Sequence, residues 1–277
     1  SEGLQPCIVI AYDKDRQPLL LLPLASGQEN GVRVARFMGG KHVTFNMALL
    51  RRDFAAAATS ADLEALLQAI REHPAHIDIL AFTRQPERWC DQPNPMALLP
   101  SQTAVNDCPL MTITSGAAPA DRISNSFRRR LKGKERKLQA LPGYRYHLLE
   151  ADADIKRTLD WFFVVKPQRM AAQKLPNVFS DPGVEDFLRA ACMTQRPGGA
   201  RAIEIHALEC DSEVIAIFAG VSDNNRFSMM FNTYTMSENA RYSPGLILMR
   251  DIVDHYAERG YTSLDLGIGS DDYKRRF

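Results

Sequence analysis

An apolar run from Cys7 to Tyr12, a charged turn at 13–16 and a second apolar run over 19–24 predict a β-hairpin near the start of the chain. Residues 203–208, a polar turn at 210–212 and residues 214–219 predict another of the same design. Each hairpin leads to a third strand, at 32–37 and at 227–231. A loop and an amphipathic helix follow in both places, at 61–72 and at 246–258, and each helix feeds a further strand, at 77–82 and at 263–267. Leu246, Met249, Ile252, Val253 and Tyr256 recur at helical spacing, and Gly260 suits the end of their helix. Ser243 is placed to cap that helix and Pro244 fits its first turn. Leu264 and Leu266 then alternate around Asp265, as in a strand. The chain therefore passes twice through a β-β-β-α-β order, which predicts a mixed α/β protein built from an internal repeat.

Residues 95–120 between the copies are rich in Pro, Ser, Thr and Gly, with a strand expected at 110–114 and a domain boundary near 116–119. The first domain is accordingly placed at 1–118 and the second at 119–277. Ile123, Phe127, Leu131 and Leu138 share one face of a helix whose other faces carry Arg128, Arg129, Arg130, Lys132, Lys134, Arg136 and Lys137. A strand at 144–149 precedes a helix at 155–172 that contains Trp161, Phe162 and Phe163, with Pro167 positioned to kink or break it. A further helix starts at Asp181-Pro182, so the second half reads α-β-α-α-β-β-β-α-β-α, its last helix following the strand at 263–267.

Composition narrows the function classes. A net charge of +1 sets up no global field toward nucleic acid or membrane, so neither is an expected partner at this level. Cys7, Cys90, Cys108, Cys192 and Cys210 have no paired spacing, which points to reduced thiols in the cytoplasm and away from a structural zinc site. The apolar runs are too short to span a bilayer, and the histidines show no ligand spacing. No P-loop, dinucleotide fingerprint or Ser-His-Asp order is present, and nothing sets an oligomeric state.

The turn Ser243-Pro244-Gly245-Leu246, the later Asp265, Gly267 and Gly269, and the pair Tyr273-Lys274 resemble the CelD/BcsL-type acetyltransferases, a group linked to cellulose biosynthesis. These belong to the GNAT acyltransferase superfamily and are similar to the FemAB aminoacyltransferases. Residues 126–138 resemble the family's basic helix, and 161–169 its aromatic helix ending in arginine. The resemblance spans the chain from about Asp121 onward and, more loosely, its first half. It implies two tandem GNAT-like units with mixed sheets flanked by helices, the first a degenerate copy. Against the GNAT order the first copy lacks its opening elements and the second stops at Phe277 without final strands, which reads either as a trimmed version of a longer protein or as a naturally short one. The implied activity moves an acetyl or other acyl group from acyl-CoA, without a metal, to an amine or hydroxyl of a small molecule, sugar or polysaccharide precursor. Two alternatives stay open: FemAB-like aminoacyl transfer from tRNA, and a catalytically silent scaffold in exopolysaccharide assembly.

Within this reading the free amides of the helix start near Gly245 offer a phosphate site, flanked by Arg241, Ser243, Pro244 and Leu246. Tyr273 is the expected general acid toward a departing thiolate. Asp265 would take the proton of an incoming ammonium, its acidity weakened by burial. Arg169 and Lys274 would hold an anionic or carbonyl group of the substrate, with Glu204 as the reserve base on the substrate side. Each has a structural counterpart. The turn at Ser243 also reads as an ordinary helix cap, Asp265 as an ion-pair partner of Lys274 or Arg169, and Glu204 as a solvent-facing strand position. The basic helix reads as a solvated face or as an RNA contact. The Gly39-Gly40 loop reads as a hinge or as a cleft wall.

Overall fold

In the computed structural model, which describes residues 3–114, 116–223, 225–269 and 273–277, strands β1 (Gln5–Tyr12) and β2 (Pro18–Glu29) pair antiparallel with Val9 opposite Leu22. Asp13 closes their turn by accepting the amides of Asp15 and Gln17. Strand β3 (Val32–Phe37) returns along β2 after the Asn30-Gly31 turn, where both residues have positive φ. Strand β4 (Leu49–Leu50) adds to β2, and helices α1 (Arg52–Ala57) and α2 (Ser60–Glu72) follow. Thr59 and Asp62 form a reciprocal capping box that sets the start of α2. Leu63 and Ile70 of α2 are buried against Leu20, Leu22, Leu24 and Ala35, a removal of apolar surface from water that stabilises by roughly 1.5–3 kcal/mol per large side chain. Strand β5 (Ile79–Ala81) then lies parallel to β3, and the short hairpin β6 (Arg88–Trp89) and β7 (Gln92–Pro93) completes this unit.

The second unit holds β8 (Leu110–Thr112), α3 (Pro119–Arg122), α4 (Asn125–Leu138), β9 (Arg145–Leu148), α5 (Asp152–Ala172) and α6 (Val184–Met193). It continues with β10 (Glu204–Cys210), β11 (Glu213–Ser222), β12 (Arg226–Tyr234), α7 (Pro244–Glu258) and β13 (Ser263–Asp265). Its sheet runs β8-β13-β12-β11-β10-β9, with β12 and β13 parallel and the other neighbours antiparallel. Helices α4 and α7 cover one face through Phe127, Leu131, Ile247 and Ile252, packed on Phe218 and Phe227. Helices α5 and α6 cover the other through Phe162 and Leu188, packed on Ile217 and Phe231. All seven residues of β10 are buried between the layers.

The order β1-β2-β3-β5 repeats in β10-β11-β12-β13, including the parallel final pair in each. The expected mixed α/β fold with an internal repeat is therefore present. Three sequence expectations need correction. The chain divides after Val105, not at 118, because β8 pairs with β13 and so belongs to the second unit. Pro167 lies inside α5 without breaking it; the turns upstream are anchored by Ile155, Leu159 and Phe162. In place of a final helix, residues Lys274–Arg276 make one 3-10 turn, while 270–272 lie outside the described residues.

Two irregularities shape the sheet around α7. Ala219 and Gly220 stand opposite Phe231 and Met229, so Met230 is an extra, bulged residue on β12. The parallel pairing of β12 with β13 stops at Ser228 and Asp265, where β13 ends while β12 runs on to Tyr234. Gly220 is required here: a Cβ would stand 2.3 Å from the Ser228 carbonyl oxygen and 2.7 Å from the Phe227 ring. Gly220→Ala is therefore expected to destabilise the protein by about 1–3 kcal/mol or more through overpacking, read as a lowered urea midpoint. An unchanged midpoint would show that β11 shifts freely.

Candidate functional site

Helix α7 starts beside the C-terminal end of β12, at Tyr234, and its first turn is unusual. Ser243 adopts a left-handed conformation, φ 57° and ψ 51°, and its side chain makes no capping hydrogen bond. The expected Ser243 cap is thus replaced: its hydroxyl oxygen accepts from Lys134 Nζ on α4 at 2.7 Å. The Ser243 carbonyl accepts from the Leu246 and Ile247 amides. The Gly245 amide, in the first turn, has no intrahelical acceptor. A Cβ at Gly245 would meet only the Tyr234 ring, at 3.5 Å, and the residue has room for a small side chain.

That helix start borders a cavity of about 270 Å³. Phe218, Asn232, Thr233 and Tyr234 line it from the sheet, Ala240, Ser243, Gly245 and Leu246 from the approach to α7, and Tyr273 from the C-terminal segment. Four sequence-nominated residues, Ser243, Gly245, Leu246 and Tyr273, thus meet at one place. Pro244 is buried at the first position of α7 and sets its direction. Arg241 points elsewhere: its guanidinium donates to the Tyr242 hydroxyl at 2.8 Å and pairs with Glu238 at 3.5 Å, while its side chain stays 63% exposed.

The remaining nominated residues have other occupations. Asp265 is buried, and its Oδ1 accepts from the Gly267 amide at 2.8 Å and from the Cys108 thiol at 3.1 Å. Burial and the neighbouring Asp265 charge push the Cys108 thiol up to about 12, so it is no thiolate nucleophile. Lys274 is buried too, and its ammonium donates to the carbonyls of Gly267, Ile268 and Gly269 at 2.8, 2.8 and 3.1 Å. It braces the turn that leads to Tyr273 and does not line the cavity. Its position corrects the expectation of a substrate-holding charge.

Glu204 is not solvent-facing but buried, and not a cavity residue. Its carboxylate accepts from the Ser222 and Tyr256 hydroxyls, both at 2.6 Å, and pairs with Arg196 at 3.4 Å. The Tyr256 oxygen lies 2.9 Å from His206 Nε2, and His206 Nδ1 lies 3.0 Å from the Tyr146 hydroxyl. Burial first, then the charges of His255 and Arg259, hold the His206 pKa well below its ordinary value. The ring is therefore neutral; because Tyr256 spends its proton on Glu204, Nε2–H donates to Tyr256 and Nδ1 accepts from Tyr146. The network of Tyr146, His206, Tyr256, Glu204 and Ser222 draws on β9, β10, α7 and β11 and ties the sheet to its helix.

Arg169 does reach the cavity wall. Its guanidinium carbon lies 3.4 Å from the centre of the Tyr234 ring. Three residues earlier on α5, Lys166 donates to the Asn232 carbonyl at 2.9 Å. Burial and the nearby Arg169 charge lower its pKa to about 8. Sequence reading passed over Lys166 because nothing local separates it from any helix lysine. Among the described residues no cluster of three His, Cys, Asp or Glu is placed to hold a metal ion, and no helix is long and apolar enough to cross a membrane.

A family model described as an acetyltransferase (GNAT) domain matches residues 125–275. No curated protein matches the sequence. Among solved structures, FemX superposes with a TM-score of 0.59 at 9% identity, covering 98% of this chain and 80% of its own. The C-terminal domain attributed to a lysylphosphatidylglycerol synthetase of Agrobacterium fabrum has a TM-score of 0.52 at 11% identity, covering 94% and 70%. The L-PGS protein of Bacillus licheniformis gives 0.50 at 14% identity, covering 96% and 70%. At these identities the structural likenesses speak to the fold.

Proposed function

Because the chain belongs to the GNAT acetyltransferase-domain family and is an acyltransferase, we propose that it transfers an acyl group from acyl-coenzyme A to an amine or hydroxyl acceptor. The observation that carries this reading is the open first turn of α7 beside a cavity that Tyr273 also lines. The Gly245 amide and the positive end of the helix dipole suit a phosphate of the carrier. Past Ser228, β12 has no strand partner on the β13 side among the described residues, so an extended carrier arm can lie along that edge as an added strand would. The acceptor nitrogen or oxygen then attacks the thioester carbonyl, a C–N or C–O bond replaces the C–S bond, the Tyr273 hydroxyl protonates the departing thiolate, and the proton shed by the acceptor returns through solvent to the Tyr273 oxygen. A sugar or polysaccharide precursor as acceptor follows the CelD/BcsL resemblance of the sequence motifs.

One observation favours a second donor. Arg129, Arg130, Lys132, Arg136 and Lys137 on α4 are exposed and have no carboxylate partner among the described residues. Such a strip suits the phosphates of a tRNA and supports the FemAB-like alternative of aminoacyl transfer. A thermal-shift comparison separates the two. Acetyl-coenzyme A at about a hundred times its Kd should stabilise the protein by about 2.7 kcal/mol. Gly245→Asp should abolish that gain while leaving the unliganded protein folded, since the new carboxylate repels an anion at the amide. Equal stabilisation of variant and parent would place the carrier elsewhere. No stabilisation by acetyl-coenzyme A, with binding of charged tRNA, would establish the second donor.

A further inference from the structure

Helix α5 carries two partly buried cations, Lys166 and Arg169, that lack anions among the described residues; Lys156, unpaired there too, is exposed. The other arginine of α5, Arg157, is paired with Glu209 and Asp154, and Arg189 of α6 is paired with Asp160 and Glu185. Lys166 and Arg169, one turn apart, have no carboxylate partner among the described residues. Lys166 uses one ammonium proton on the Asn232 carbonyl and sits 5.7 Å from the centre of the Phe179 ring. Among the described residues the Arg169 guanidinium has no hydrogen-bond acceptor; its carbon stands 3.4 Å over the centre of the Tyr234 ring. Both Asn232 and Tyr234 line the cavity beside α7.

Lysine is seldom buried without a counter-charge, because desolvating an ammonium is costly. Here a second cation lies close enough to lower the Lys166 pKa further. A pair of like charges, one partly desolvated and the other held over an aromatic ring, is a preorganised anion receptor. We propose that Lys166 and Arg169 receive a carboxylate or phosphate group of the acyl acceptor, so that the acceptor is an amine or alcohol that also carries an anion. The inference rests on the acyl-transfer reading of the same cavity and adds the chemical class of its second substrate. A bound anion would take the spare ammonium protons and the guanidinium fork together, leaving the acceptor's amine or hydroxyl to face the acyl carbonyl.

Three acceptors isolate the anion. Ethanolamine has none, glycine has a carboxylate and O-phosphoethanolamine has a phosphate. With acetyl-coenzyme A as donor, the parent should favour one or both anionic acceptors in kcat/KM by about tenfold or more. The better of the two identifies the group. Lys166→Met and Arg169→Met should each erase the preference by raising the acceptor KM, and Lys166→Arg should restore part of it. Equal kcat/KM for all three acceptors overturns the proposal, as does a preference that survives both Met variants. A rise confined to the KM of acetyl-coenzyme A also overturns it, since the pair would then serve the donor. A binding arm runs without turnover: O-phosphoethanolamine and glycine are titrated against the melting temperatures of parent and variants. Stabilisation of the parent that Lys166→Met and Arg169→Met both lose supports the receptor even if acetyl transfer is never seen, in which case only the donor reading fails. Absence of both stabilisation and preference sinks the receptor. Two separate variants keep the test decisive if one of them folds poorly.

Discussion

Tyr273→Phe should lower acyl transfer by about 10²- to 10⁴-fold, the usual contribution of a positioned general acid, while the melting temperature stays almost unchanged. The substitution removes one oxygen from a partly buried ring that packs on the core and lines the cavity with Ser243 and Gly245. Its effect belongs in kcat, because proton donation to the leaving thiolate is needed only in the transition state. Steady-state kinetics beside a thermal melt checks both halves. Lys274→Met provides the contrast. It strips three backbone carbonyls of their donor and should lower the melting temperature together with activity. Full activity in Tyr273→Phe would show that the proton comes from another group.

A second large effect is expected on acidification. His206 is wholly buried, and its folded-state pKa lies well below the 6.5 of an ordinary histidine. Below pH 6.5 the unfolded chain therefore binds a proton that the folded chain refuses. Stability then falls with pH by up to about 1.4 kcal/mol per unit from this residue. His255, lowered to about 4 chiefly by burial, acts in the same direction between its ordinary value and that point. Asp251 opposes them: burial raises it to about 6, so below that pH the folded state gains a proton and with it stability. Two histidines against one carboxylate leave a net loss, visible as a urea midpoint that drops between neutral pH and about pH 5. His206→Gln keeps a donor and an acceptor but cannot charge, and should flatten the slope. Identical slopes in parent and variant would assign the acid sensitivity elsewhere.

Much of the fold was legible in the chain because it rests on local signals. The runs over 7–12 and 19–24 became β1 and β2, and the spacing of Leu246, Met249, Ile252, Val253 and Tyr256 became α7. Strand β3 falls at the expected 32–37. The two-residue strands β4, β6 and β7 were missed, since two residues display no period. Strand β8 was seen but assigned to the wrong unit, because its partner β13 lies far along the chain.

The site divides in the same way. Gly245, Leu246 and Tyr273 were named from helix-start chemistry and resemblance, and they meet at the cavity. What the chain determined by itself was periodicity, capping chemistry and residue type, all of which act over a few neighbouring positions. Tertiary structure alone decided which polar groups are occupied. Ser243 meets Lys134 from 109 residues away, and Glu204 meets Tyr256 from 52 away. Lys274 is drawn into a ring of carbonyls, whereas Lys166 on α5 has no carboxylate among the described residues beside the Asn232 carbonyl. A charged side chain has the same local pattern whether it is satisfied or spare. Burial and the partner that arrives from a distant element set the difference, and neither is encoded in the spacing of its neighbours.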